Sequence, residues 1–281
     1  MKQRPFKQVD VFTALPYLGN PVAVVLDGAG LNDAEMQRFA NWTNLSETTF
    51  LLPPTTPEAD YKVRIFTTAR ELPFAGHPTL GSCHAWLQAG GQPHRADEVV
   101  QECKAGLIKI KRDPKGLAFA APKLLRGGAV DAETVRKIAR GLRVPEADLL
   151  HHQWADNGPG WVAVVLSSAE KVLAIEPDYA AMRGLEVGVI GAYPAGSECQ
   201  FEVRAFITMD TPVGYEDPVT GSLNASLAQW LIGAGLAPER YIASQGTVLG
   251  RAGRVQLVRD GNKQVWVGGA AVTCVDGTVM L

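Results

Sequence analysis

Cysteine is scarce in this 281-residue chain. The four present, Cys83, Cys103, Cys199 and Cys274, form no C-x-x-C and have no histidine at zinc-ligand spacing. A disulfide scaffold and a zinc site are therefore excluded, and a reducing cytoplasm is the expected compartment. Long apolar runs are missing too. Val22–Leu26 (VAVVL) falls far short of the ~20 residues of a membrane helix, and the opening MKQRPFKQVD has no apolar stretch behind its basic residues, so no signal peptide or membrane partner is expected. Neither sign of charge is in excess. Lys plus Arg number 27 against 29 for Asp plus Glu, a net charge of −2, which removes the basic footprint of a nucleic-acid binder. Low-complexity segments are absent. What is there is an ordinary globular composition, 46% hydrophobic and 20% charged, which excludes intrinsic disorder. The length points to two domains at roughly 150 residues each.

Comparing the chain with itself turns two domains into two copies of one. At an offset of 140, VAVVL (22–26) falls on VAVVL (162–166). The same shift pairs Tyr61–Leu87 with Phe201–Leu227, with nine identities in 27 positions, among them Val63/Val203, Arg64/Arg204, Pro78/Pro218 and Gly81/Gly221. AGLIKIKRD (105–113) then matches AGRVQLVRD (252–260) at offset 147. A period this long means a duplicated domain, since solenoid repeats run about 20–50 residues. Each copy reads as a strand, a helix, an alternating strand, a Gly/Pro turn and a second helix, followed by more strands. The expected class is α+β, with domains at 1–122 and 126–281 and a last strand free to return to the first.

The turn into the second helix of each copy carries the candidate chemistry. It reads Gly76-His77-Pro78-Thr79 in the first half and Asp217-Pro218-Val219-Thr220-Gly221-Ser222 in the second. Helix N-termini offer unpaired N–H groups and partial positive charge, so two such entrances facing one cleft would hold a small carboxylate. Asp217 is the expected N-cap of the second helix. The offset of 140 sets His77 opposite Asp217. It also sets Glu47 opposite Val187, so that one half alone carries a carboxylate there, a pattern suited to one-base proton transfer.

These segments, SETTF (46–50), ELPFAGHP (71–78), EDPVTGS (216–222), GNPVAV (19–24) and the closing VGGAAVTCVDGTVML, resemble the phenazine-biosynthesis isomerase (PhzF-like) family over essentially the whole chain. The resemblance implies the diaminopimelate epimerase-like fold, two pseudo-symmetric domains that each curl a mixed sheet round a central helix. By the same resemblance Glu47 is the general acid/base acting on a small, cyclic hydroxy-amino carboxylic acid. Gly76 and His77 support that transfer and contact the substrate, Asp217 assists catalysis by binding the substrate amine and keeping Glu47 suitably basic, and Gly221 and Ser222 take the carboxylate. It further implies a homodimer and chemistry without metal, flavin or nicotinamide cofactor.

The sequence departs from the epimerases and racemases of this fold, which place a thiol at each entrance. Here Ala75–Thr79 and Asp217–Gly221 contain none, and Cys83 lies inside the helix. Two other functions compete with the isomerase: an amino- or hydroxy-acid epimerase without cysteine bases, and a non-catalytic protein that binds small acids. Arg64 and Arg204 could bind an acid or serve structure. The Trp residues are expected in the core.

Overall fold

A computed structural model describes residues 1–113, 116–209 and 213–281. Its contacts divide the chain into two units, 1–120 with 268–281, and 121–267. The elements of the first are β1 (Gln3–Val11), β2 (Asn20–Val25), α1 (Asp33–Thr43), β3 (Glu47–Leu52), β4 (Tyr61–Phe66), β5 (Glu71–Leu72), α2 (Gly76–Gln88), β6 (Glu98–Cys103), β7 (Gly106–Asp113) and β8 (Gly116–Ala120). Those of the second are β9 (Arg126–Gly128), α3 (Ala132–Leu142), β10 (His151–Asp156), β11 (Trp161–Leu166), α4 (Ala169–Leu173), β12 (Glu186–Ala192), β13 (Phe201–Ile207), β14 (Tyr215–Asp217), α5 (Gly221–Gly233), β15 (Arg240–Gln245) and β16 (Gly253–Arg259). After β17 (Val265–Gly269), β18 (Ala271–Met280) pairs antiparallel with β1 from Gln3↔Met280 to Val11↔Ala271. The C-terminal strand, placed by sequence in the second domain and free to return, thus lies in the first unit, where it supplies β1 with a ladder partner.

The same strand order runs through both units. In the first, β1 pairs with β2, β2 runs parallel to β3, β3 is antiparallel to β4, and β4 pairs with β5 at its end and with a parallel β6 at its start, β6 then turning into β7. In the second, β10, β11, β12, β13, β14, β15 and β16 repeat these relations in turn. The α+β class follows, as does the duplication.

Each unit encloses one helix. Almost every residue of α2 from Gly76 to Ala85 is buried, and α5 is buried from Leu223 to Ala228. Helices apolar on all sides belong inside a domain. Gly81 lets α2 approach the sheet, because a Cβ there would lie 2.3 Å from Val22 Cγ1 and 3.0 Å from Val11 Cγ2. The outer helices show the expected stripe and caps. Met36, Phe39 and Ala40 of α1 pack with Val25, Phe50 and Phe66, while Val135, Ile138 and Leu142 of α3 pack with Val162, Val164, Val187 and Val189. Asn32 caps α1 in a capping box with Glu35, one residue before Asp33, and Asp131 caps α3.

Comparing the two units corrects the register of the repeat. Val22 faces the enclosed helix of its unit, whereas Val162 faces the outer helices of the other. A slip of one residue exchanges the faces of a strand, so Val22 corresponds to Trp161 and not to Val162. The ladders agree: Val22 is paired with Glu47 and Trp161 with Glu186. The counterpart of Glu47 is therefore Glu186, and Val187 matches Thr48. The β4 and β13 strands keep offset 140, since Phe66 and Phe206 stand opposite Thr48 and Val187. The enclosed helices start at Gly76 and Gly221, an offset of 145. His77 thus corresponds to Ser222, and Asp217 to Leu72, each the β5 or β14 residue facing Ile65 or Ala205.

The two repeated arginines are structural. Arg64 meets Glu71 through Nε and Nη2, both at 2.7 Å, and Arg204 meets Glu216 in the same bidentate way at 2.9 and 2.7 Å. Each guanidinium lies 5.0 Å from a ring, Phe66 or Phe206. These pairs tie β5 and β14, which lead into the enclosed helices, to the strands beside them.

Candidate active site

The first unit contributes Glu47, Gly76 and His77. Glu47 opens β3, and His77 is the second residue of α2. Glu47 Oε2 lies 3.2 Å from His77 Nε2, with side-chain exposures of 15% and 6%. The ring also hydrogen-bonds the Pro21 carbonyl, and burial pushes the imidazole down to about 3 against the pull of that bond. A neutral imidazole has one N–H. With that N–H donated to Pro21, Nε2 faces Glu47 as an acceptor, and the contact is attractive when one proton lies between the two groups. Such a pair can give a proton up and take one back.

The α2 entrance is not capped by a side chain. Ala75 is the extended N-cap, and Pro78 removes an amide that would have had no helical partner. The N–H groups of Gly76 and His77 head the helix.

Asp217, Gly221 and Ser222 come together in the second unit. Asp217 ends β14 and is not the N-cap; that position is Thr220. The Thr220 hydroxyl, instead of capping, donates to Asp217 Oδ2 at 2.5 Å. Behind it the Gln245 amide donates to Thr220 Oγ1 (2.9 Å) and to the Asp217 carbonyl (3.1 Å), and accepts from Thr220 N (3.0 Å) and Asn224 Nδ2 (2.8 Å). Four bonds fix which end of this buried amide is which. Ser222 Oγ accepts from the Trp161 indole at 3.0 Å, and the Ser222 carbonyl accepts from Asn157 Nδ2 at 2.8 Å.

The asymmetry between the halves takes a different form from the one expected. Glu186 keeps the carboxylate at the position of Glu47, but it accepts the backbone N–H groups of Thr208 and Met209 at 3.2 and 3.1 Å. One half spends the repeated carboxylate on its own loop; the other sets it against a histidine.

Thr220, Gln245, Asn157 and Trp161 were not singled out by the sequence. The glutamine that ends β15 was the one available signal, because a buried amide must be bonded. The cysteines lie apart: Cys83 is buried, with its thiol pushed up to about 12 by burial, and both helix N-caps lack a thiol.

Burial of a neutral histidine has a consequence for stability. The unfolded ring titrates near 6.5 and the folded one near 3, so below pH 6.5 the unfolded state binds the extra proton and stability falls with acidification. The loss expected at pH 5 is about 2 kcal/mol. His84, also lowered by burial, acts in the same direction. Urea midpoints at pH 7.5 and 5 check this. A His77→Asn variant should lose part of the acid sensitivity, and an unchanged pH slope would count against the buried neutral ring.

The model of the phenazine biosynthesis-like protein family matches residues 9–277. Antisense-enhancing sequence 1 of Schizosaccharomyces pombe is 34% identical over 300 residues, covering 99% of each chain. The trans-2,3-dihydro-3-hydroxyanthranilate isomerase of Pseudomonas fluorescens is 33% identical, covering 97% of this chain and 98% of the relative. The crystal structure of a phenazine biosynthesis protein of the PhzF family from Bacillus anthracis superposes over 100% of both chains with a TM-score of 0.85 at 24% identity, a likeness of fold. No described helix is long and apolar enough to cross a membrane.

Proposed function

The chain belongs to the phenazine biosynthesis-like family, and from that premise we propose that it moves a proton within a small carboxylic acid, with Glu47 as the carrier. It is an isomerase related to the trans-2,3-dihydro-3-hydroxyanthranilate isomerases. The observation that carries the reading is the Glu47–His77 pair: a mostly buried carboxylate held 3.2 Å from a neutral ring.

Glu47 in its carboxylate form takes a proton from one carbon of the substrate. The electron pair of the broken C–H bond shifts the double bond, and Glu47 returns a proton to a second carbon, so no oxidant and no net proton is required. His77, as an acceptor, keeps the transferred proton on Glu47 between the two steps. Positioned acid–base groups of this kind contribute about 10²–10⁴-fold. Asp217 takes a substrate amine, and Gly221 and Ser222, at the head of α5, take the carboxylate. Gly76 supplies its backbone beside His77.

A single carrier leaves an isotopic signature. With trans-2,3-dihydro-3-hydroxyanthranilate deuterated at the carbon that loses the proton, part of the deuterium should reappear at the receiving carbon of the same molecule under single turnover. Product with no transferred deuterium would overturn the one-carrier reading.

A further inference from the structure

We propose that Trp161 is a positioning residue that orients the Ser222 hydroxyl, biasing the head of α5 toward donation so that it selects a carboxylate over its neutral amide. This rests on the reading that Ser222 takes the substrate carboxylate.

The geometry comes from one unit. Trp161 is 1% exposed, and its single polar atom, Nε1–H, can only donate. It does so to Ser222 Oγ at 3.0 Å. A serine oxygen that accepts this bond cannot turn its own O–H toward the indole, so the hydroxyl proton is directed to the other positions around Oγ, where it meets no acceptor among the described residues. Ser222 itself is half-buried, at the rim of an enclosed helix. Its main chain is held as well, by Asn157 Nδ2 on the carbonyl, so the hydroxyl and the helix head are oriented together. Around it, the amides of Gly221, Ser222 and Leu223 precede the first helical bond, which runs from Asn224 N to the Thr220 carbonyl, so they too are donors without an intrahelical acceptor.

A carboxylate presents acceptors on both oxygens. A carboxamide must turn its NH2 toward one of these donors and leave it unpaired, which is how a polar site rejects an isostere. Without the indole N–H the Ser222 hydroxyl can turn its proton toward position 161 and away from the ligand, and the preference for the acid weakens. In the first unit, Val22 and His77 hold the matching positions. A donor-fixing indole is therefore confined to the half proposed to bind the acid.

The test compares 2-aminobenzoate with 2-aminobenzamide by isothermal titration calorimetry on the full chain. Trp161→Phe removes the N–H and leaves a smaller ring in a buried site. Its benzoate-to-benzamide affinity ratio should fall about fivefold or more, while the lost ring volume lowers the melting temperature, whereas a merely structural tryptophan would weaken both ligands alike. In a Ser222→Ala background the same change should have no further effect on the ratio. Should Trp161→Phe fail to fold, 15N-labelled indole signals of the wild type serve instead. One of the six tryptophan signals should move in Ser222→Ala and also on titration with 2-aminobenzoate. A ratio kept within twofold in Trp161→Phe, or no indole signal responding to both changes, overturns the role of Trp161. If the wild type shows no preference for the acid, or Ser222→Ala leaves the ratio intact, the carboxylate reading of Ser222 fails first, and this proposal with it.

Discussion

Glu47→Gln should leave the protein folded and lower turnover by roughly 10³-fold, within the range lost when a positioned acid/base is removed. The substitution is nearly isosteric, and the local hydrogen bonding favours it. His77 donates its one N–H to the Pro21 carbonyl and faces position 47 with an acceptor at 3.2 Å. A glutamine amide can donate to that nitrogen, so the contact gains a hydrogen bond while the transferable proton is gone. Stability and substrate binding should hold, and kcat should carry the loss. Single-turnover rates and calorimetric binding of the same substrate separate the two. A Gln variant retaining more than a tenth of wild-type turnover would remove Glu47 from the chemistry.

Glu216→Leu should cost about 3–5 kcal/mol, the typical result of stranding a buried charge. Arg204 and Glu216 have side-chain exposures of 2% and 4%, and the guanidinium's remaining bonds go to the Val172 and Ile175 carbonyls, which carry no formal charge. The equivalent change in the first unit, Glu71→Leu, should cost much less. Arg64 is 19% exposed and keeps Asp33 at 2.7 Å, so water and a second carboxylate share the charge. Urea midpoints of the two variants give the comparison directly. Replacing both partners, Arg204→Met with Glu216→Leu, should recover much of the loss, because an apolar pair strands no ion. Equal costs in the two units would contradict the account based on burial.

Much of the architecture was legible in the sequence. The duplication, the α+β class and the helix stripes follow from identities and periodicity that survive small errors of alignment. The register did not survive. Both VAVVL segments are buried on both faces, and such strands read as continuous apolar runs that do not announce which side chain points where. Aligning their identities therefore set Val22 on Val162, one residue out, and turned Glu47 against Val187 when the folded counterpart is Glu186. The entrances slipped for another reason. Pro78/Pro218 pairs a helix residue with the turn before a helix and Gly81/Gly221 the sixth residue of one helix with the first of the other, and the extra residues between β13 and β14 were invisible to an ungapped comparison. Glu47 and His77 emerged through their motifs, and the structure sets them side by side. The supporting contacts of Trp161 and Gln245 depend on where one N–H or one amide points across strands distant in sequence, which no local pattern encodes.

The pairing of β18 with β1 has a bearing on how the chain is made. The second unit is continuous in sequence and can close as soon as residue 267 has emerged from the ribosome, whereas the first waits for the fourteen residues that follow. Until then β1 exposes an unpaired ladder edge, the kind of surface on which nascent chains associate wrongly. The unit bearing Glu47 and His77 is thus begun before the other and can close only after residues 268–281 have followed it.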